Sequence, residues 1–271
     1  MINTPNCENA LVAFGFGMML EGVDSIYFVK QLDFLLLTAD QLVNTWNMVR
    51  HSPATGSFTI VPVVVDSGFE GPQSRLNNLA DFCSLADLPG YALADAAAAR
   101  RTVERHLIAP GFRILAPSQR LFRSPADQGA VEVLDGDAGL FRLADGVDVT
   151  IVAFNFTWPQ ARKLRARLAA QGIEADLFGV SACAPESWDV IIKSVRRTGR
   201  LVLLDDSRSR NRPGDQLRAT ILDAGVGHAA LPLYRVIDPD DIRPHADRFD
   251  VDAEAVRYWL GDAKPFERET P

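Results

Sequence analysis

A chain of 271 residues with 47% hydrophobic and 23% charged side chains is long enough for two hydrophobic cores and too apolar to be a disordered segment. Its formal net charge of -7, with arginines scattered among acids, argues against a nucleic-acid partner. The three cysteines, Cys7, Cys83 and Cys183, are far apart and odd in number, which argues against a disulfide framework and for a reducing, cytoplasmic setting; no basic region leads into an apolar run, and the stretch around Leu35, Leu36 and Leu37 is too short to span a bilayer.

Residues 9–20 are expected to form a helix carrying Leu11, Val12, Phe14, Phe16 and Met18, with Gly15 and Gly17 allowing close packing. The glycine spacing is not that of a dinucleotide fingerprint and no strand precedes it, so a nicotinamide site is discounted. Residues 25–29 read as a strand and 34–49 as a helix with Leu37, Leu42, Val43 and Trp46 available for burial. Residues 58–65 are a nearly continuous Val/Ile run, the pattern of a parallel strand covered on both faces. The loop Asp66-Ser67-Gly68-Phe69-Glu70-Gly71-Pro72-Gln73-Ser74-Arg75 follows. Next come an Ala/Arg-rich helix at 94–106 and a short strand at 112–115. Residues 125–146, rich in Gly and Asp, read as a linker with a possible hairpin, dividing a first domain at 1–124 from a second at 147–271.

The second half alternates regularly. A strand at 147–154 leads to Thr157-Trp158-Pro159-Gln160, a capping-box pattern with an early proline; Ala161, Leu164 and Leu168 form a buried stripe, and Gly172 ends the helix. A strand at 174–180, a helix at 186–197 with Val190, Ile191 and Val195 inward, a stop at Gly199 and a strand at 200–206 repeat the unit. Such βαβ repetition implies an α/β fold with mostly parallel sheets. Gly179-Val180-Ser181-Ala182-Cys183 approaches a nucleophile elbow but lacks the last glycine. The four histidines, His51, His106, His228 and His245, have no metal-ligand spacing.

Thr4-Pro5-Asn6-Cys7-Glu8, Asp33-Phe34 and Asp40-Gln41-Leu42-Val43-Asn44 in the first half, with Asp148-Val149-Thr150-Ile151-Val152-Ala153 and Thr198-Gly199-Arg200-Leu201-Val202 in the second, resemble a known family. The resemblance is to pyruvate dehydrogenase beta-like chains, the beta subunits of the first component of 2-oxo acid dehydrogenases, in the transketolase-like superfamily. It implies two α/β domains, a thiamine-pyrimidine-binding-type parallel-sheet domain and a transketolase C-terminal-type βαβ domain that mainly builds the subunit interface. It implies thiamine diphosphate and magnesium as cofactors, lying between this chain and an alpha-type subunit that holds the metal and diphosphate, in an alpha2beta2 heterotetramer. Glu8 would then touch the aminopyrimidine and Phe34 would pack on it. A carboxyl group at the ring nitrogen is what lets the cofactor's own amine act as a base. Phe14, Phe16, Met18 and Met19 would supply partly apolar surroundings for that carboxyl. The expected reaction cleaves or joins a carbon–carbon bond beside a carbonyl, in an oxidoreductase or a transferase, with a 2-oxo acid or ketose-like donor.

Each residue also has a plainer reading. Glu8 alone is a first-turn acid complementing a helix dipole, Phe34 a core aromatic, and Lys30, which would meet an anionic substrate, an exposed lysine at a strand end. Ser74 stands where the family carries a histidine that assists acyl transfer to a lipoyl group, and a serine does not carry a proton near neutral pH as imidazole does. Ser74 therefore disfavours a lipoyl-linked dehydrogenase and leaves two readings, a changed acceptor on the same cofactor or a noncatalytic subunit that stabilises or regulates the alpha-type chain. Gly136-Asp137-Ala138 departs at its third residue from the family's magnesium-binding motif. The chain starts close to Glu8, so the family's opening helix and strand are expected to be missing and a partner to be required.

Overall fold

The computed structural model of the chain describes residues 2–66, 79–123, 132–135, 139–185, 187–207, 211–226, 230–234 and 249–262. Its first sheet is four-stranded and wholly parallel: β1 (Ser25–Val29), β2 (Ser57–Pro62), β3 (Gly90–Leu93) and β4 (Gly111–Pro117), in the order β1-β2-β4-β3. Helix α1 (Glu8–Leu20) lies on β1 and β2 and buries Val12, Gly15, Phe16 and Met19, a stripe at helical spacing. A methyl group on Gly15 would stand 2.3 Å from the Phe58 ring, so glycine is what lets the helix settle on the sheet there. Gly17 faces open space, and the packing expected of both glycines belongs to Gly15 alone. Phe16 centres an aromatic cluster, 4.9 Å from Phe112, 5.2 Å from Phe58 and 6.1 Å from Trp46 between ring centroids.

The helix expected at 34–49 is instead a succession of tight and wide turns: a 3-10 segment at Leu32–Thr38, a π-type turn at Gln41–Thr45 and one turn of regular helix, α2 (Trp46–Val49). The changing pitch breaks the 3.6-residue stripe. Leu42 is fully buried while Leu37 is 59% exposed, so the burial expected of Leu37 fails. Helix α3 (Leu79–Ser84) and helix α4 (Ala96–His106) complete this half. Asp95 caps α4, its carboxylate accepting from the amides of Ala97 at 3.0 Å and Ala98 at 3.1 Å.

The second sheet is six-stranded: β5 (Glu132–Asp135), β6 (Leu140–Ala144), β7 (Val149–Phe154), β8 (Ala175–Val180), β9 (Leu201–Asp205) and β10 (Ala230–Tyr234), in the order β10-β9-β7-β8-β6-β5. The last four are parallel, whereas β5 and β6 form an antiparallel margin through the pairing of β6 with β8. The hairpin read within a linker is therefore part of this sheet. Helices α5 (Trp158–Ala169), α6 (Asp189–Thr198), α7 (Pro213–Asp223) and α8 (Ala253–Asp262) surround it. The strand pleat divides the core in two. Ile151, Ala153, Leu177, Val202 and Leu204 join α5, α8 and the first half, while Val152, Phe154, Phe178, Val180, Leu201 and Leu203 pack under α6 and α7.

Thr157 does not cap α5 as its motif suggests; its hydroxyl donates to the carbonyls of Phe154 at 2.8 Å and Leu204 at 3.1 Å, tying β7 to β9. In α6, Ile191 and Val195 are buried as expected, with Ile192 buried beside them where Val190 is only partly covered. Gly179, half of the failed nucleophile-elbow pattern, has a packing role: a methyl group there would lie 2.5 Å from the buried Trp158 indole. Among the described residues, no helix is long and apolar enough to cross a membrane.

The two sheets meet along β3. Tyr91 bridges antiparallel to Ala182, the Ala92 amide donates to the Ser181 carbonyl at 2.7 Å, and the Cys183 amide donates to the Gly90 carbonyl at 2.9 Å. Arg162 on α5 reaches Asp95 at 3.0 Å across the same seam.

Candidate active site

Because α1 connects to β1 through a short turn and runs back along it, the first turn of the helix comes to the carboxyl end of the strand. In open parallel sheets, that end is where ligands bind. Glu8 stands there, half-buried, with no side-chain cap beneath the helix. Its carboxylate lies close enough to Tyr27 on β1 to be felt: burial pushes the tyrosine hydroxyl up, and the negative charge of Glu8 adds to the effect.

The chain leaves β1 at Lys30, which is exposed, and passes through Gln31 and Asp33, both buried, to Phe34, which is partly buried against the core. Glu8, Lys30 and Phe34 thus share one edge of one sheet, with α1 and the 3-10 segment in direct packing. The apolar shell expected around Glu8 is differently placed. Phe16 and Met19 belong to the core further along α1, and Phe14 is 68% exposed. Ser74 and Gly136-Asp137-Ala138 lie outside the described residues.

The same edge carries a polar cluster that sequence reasoning missed. Asp66, just beyond β2, accepts from the Ser118 hydroxyl at 2.5 Å and from Arg120 Nε at 2.7 Å, and the arginine also donates to the Phe156 carbonyl at 2.9 Å. Aspartate and serine here are buried, so the pair is strong by environment as well as by charge. The signal was an acid closing a Val/Ile run, at the carboxyl end of a strand covered on both faces. Through Arg120 the cluster links the edge of the first sheet to the loop after β7.

A second missed network closes on itself at the carboxyl ends of β7 and β9, where the strand order of the second sheet reverses. Asn155, held at φ 50, donates to Asp205 at 2.9 Å and Ser207 at 2.7 Å, and Asp205 accepts from the Gly214 amide at 3.1 Å at the start of α7. These groups satisfy one another and fix α7 against the sheet. Among the described residues, no group of three or more His, Cys, Asp or Glu side chains is arranged to hold a metal ion.

Residues 141–256 match the family described as transketolase, C-terminal domain. Along most of its length the chain is similar to beta subunits. It is 24% identical over 248 residues to the acetoin:2,6-dichlorophenolindophenol oxidoreductase subunit beta of Cupriavidus necator, covering 88% of this chain and 72% of that one. It is 23% identical to the pyruvate dehydrogenase E1 component subunit beta of Bacillus subtilis, covering 97% and 80%. The corresponding subunit of Rhizobium meliloti is also 23% identical, but this chain spans 54% of its length. A solved structure titled "Split gene transketolase, inactive beta4 tetramer" superposes with a TM-score of 0.65 at 17% identity, covering 97% of this chain and 83% of that one. At that identity the likeness establishes the fold.

Proposed function

We propose that this transketolase-like, beta-subunit-like chain is the beta-type half of a split thiamine diphosphate enzyme, its cofactor site shared with an alpha-type subunit in an alpha2beta2 assembly. The reading is supported by Glu8 opening α1 and Phe34 lying on the 3-10 segment that packs against that helix after β1, in a chain whose relatives are named as beta subunits. The pyrimidine end of the cofactor fits the residues present: a half-buried carboxylate whose charge already reaches a neighbouring phenol, and an aromatic ring with a partly open face. Magnesium and the diphosphate are assigned to the partner.

When bound, thiamine diphosphate supplies the nucleophilic carbon that attacks a carbonyl. This chain's own residues bind and prepare it. Glu8 holds a proton at the pyrimidine ring nitrogen, and its half-buried setting keeps that bond from being exchanged freely with water. Phe34 fixes the ring by stacking. Lys30 offers an ammonium to the carboxylate or phosphate of a donor. Loss of the lipoyl-handling histidine at position 74 favours an acceptor other than a lipoyl group.

A noncatalytic subunit that stabilises the alpha-type chain is the second reading, favoured by Ser74. Calorimetric titration of thiamine diphosphate with magnesium, into this chain alone and into the assembled pair, separates the two. Binding to the pair that Glu8→Ala abolishes is expected, with Glu8→Gln lowering turnover by roughly 10²–10⁴-fold. Unchanged binding and turnover in both variants would leave Glu8 as a helix-start acid and the chain as a scaffold.

A further inference from the structure

Two of the three cysteines, separated by about 100 residues in sequence, meet at the seam between the sheets. Cys83, on α3, and Cys183, just after β8, are both free and both 6% exposed. They line one cavity of about 340 Å³, together with Ser84, Tyr91 and Asn211. Gly90 holds them on its two sides: its carbonyl accepts the Cys183 amide at 2.9 Å, and a methyl group on its α-carbon would lie 2.3 Å from Cys83 Sγ. Any larger residue at position 90 would displace the sulfur. Cys183, with burial, pushes the Cys83 thiol up.

We infer that Cys83 and Cys183 form a reversible disulfide when the protein meets a peroxide-class oxidant, and that this bond staples the two halves of the molecule across β3. Both cysteines flank the same glycine and line the same cavity, so bond formation asks for side-chain rotation and a small local shift to reach the ~2.05 Å of an S–S bond. The balance is simple. One thiolate attacks a peroxide oxygen, breaking the O–O bond and leaving a sulfenic acid and one water; the second thiol displaces the hydroxyl as another water, and its proton leaves with it. Two thiols and one peroxide give one disulfide and two waters, and a dithiol reductant reverses the change.

The setting makes the oxidation slow and steeply pH-dependent. Cys183, then burial, push the Cys83 thiol well above its ordinary range, so the reactive thiolate is scarce near neutral pH. The cavity lets a small oxidant reach a pair that larger thiol reagents meet poorly. The bridge would close a loop of about 100 residues across a seam already held by backbone bonds, the Arg162–Asp95 pair and a shared core, removing much freedom from the unfolded chain.

The test uses the full chain, treated with hydrogen peroxide and mapped as peptides without reduction. The expected result is a Cys83–Cys183 cross-link with a mass loss of about 2 Da, formed faster as the pH rises. A rise in melting temperature on the order of 5–10 °C should accompany it, and dithiothreitol should remove both. Cys83→Ser and Cys183→Ser should each abolish the link and the rise, while Cys7→Ser keeps both. Sulfinic acids without a cross-link, bridging through Cys7 only, or no oxidation of the folded chain would overturn the inference. A cross-link with no thermal shift would overturn the stapling. The peptide map of the unaltered chain decides the bond even where a serine variant fails to fold.

Discussion

The two sheets solve burial differently. In the second, all residues of β7, β8 and β9 are buried, because helices cover both faces. In the first, β1 sits at the edge with alternating exposure; Phe28 on it is 66% exposed and Phe14 on α1 is 68% exposed. The second half covers its central strands on both faces, one face through a core shared with the first half, whereas the first half leaves a strand edge and large apolar side chains exposed. In a chain proposed to share its site, the half with the exposed edge is the one expected to work with a partner, and the covered strands of the second sheet contribute more of the stability.

That contrast can be broken most directly by truncating one phenylalanine in each half. Phe154→Ala empties space between β7 and Trp188 and should cost about 3–5 kcal/mol, a fall in melting temperature on the order of 10 °C. Phe28→Ala in the isolated chain should stay within about 0.5 kcal/mol. Equal losses by calorimetry would mean that β1 is covered and the contrast false.

The buried glycines sharpen the comparison at smaller amplitude. Gly179→Ala drives a methyl group into the Trp158 indole, which is wedged in the covered sheet, and should cost about 1–3 kcal/mol. Gly15→Ala meets Phe58 even closer, but only the outer atoms of its ring, next to the exposed edge strand β1, so its cost should be smaller; denaturant midpoints at equal slope would rank the two. The reverse ranking would place the rigid part of the molecule in the first half.

The smallest effect tests the candidate site itself. Tyr27 is raised by burial and then by Glu8, so Glu8→Gln should bring its ultraviolet titration to lower pH. The sign for stability follows. A group raised in the folded state stabilises fully below its unfolded pKa of about 10 and loses that contribution as pH climbs from there through the folded value; the variant, whose tyrosine is raised less, has less to lose and should lose less stability to alkali than the unaltered chain. An unmoved titration would separate Glu8 from the edge of β1.

Much of the architecture was legible because local physics and tertiary packing agreed. Strand 25–29 carries strong β formers, and helix 158–169 carries its stripe of Ala161, Leu164 and Leu168. Residues 34–49 were misread because several apolar neighbours fit a helix equally well as a chain of irregular turns, and only packing against α1 chooses. At the site, Glu8 and Phe34 were found through their spacing in a family pattern. Asp66, Ser118 and Arg120 belong to no short pattern, since residues 52 and 54 positions apart meet only once β2 and β4 lie side by side.

By itself the sequence determined the alternation of strand and helix, the parallel sheets it demands and the acid at the opening of α1, all consequences of short-range periodicity and backbone preference. The tertiary structure alone decided that β5 and β6 extend the second sheet, that Thr157 ties strands instead of capping a helix, and that Cys83 meets Cys183 across Gly90. Those outcomes depend on which distant surfaces come to share a core, and hydrophobic burial, being non-directional, does not write that choice into any one segment.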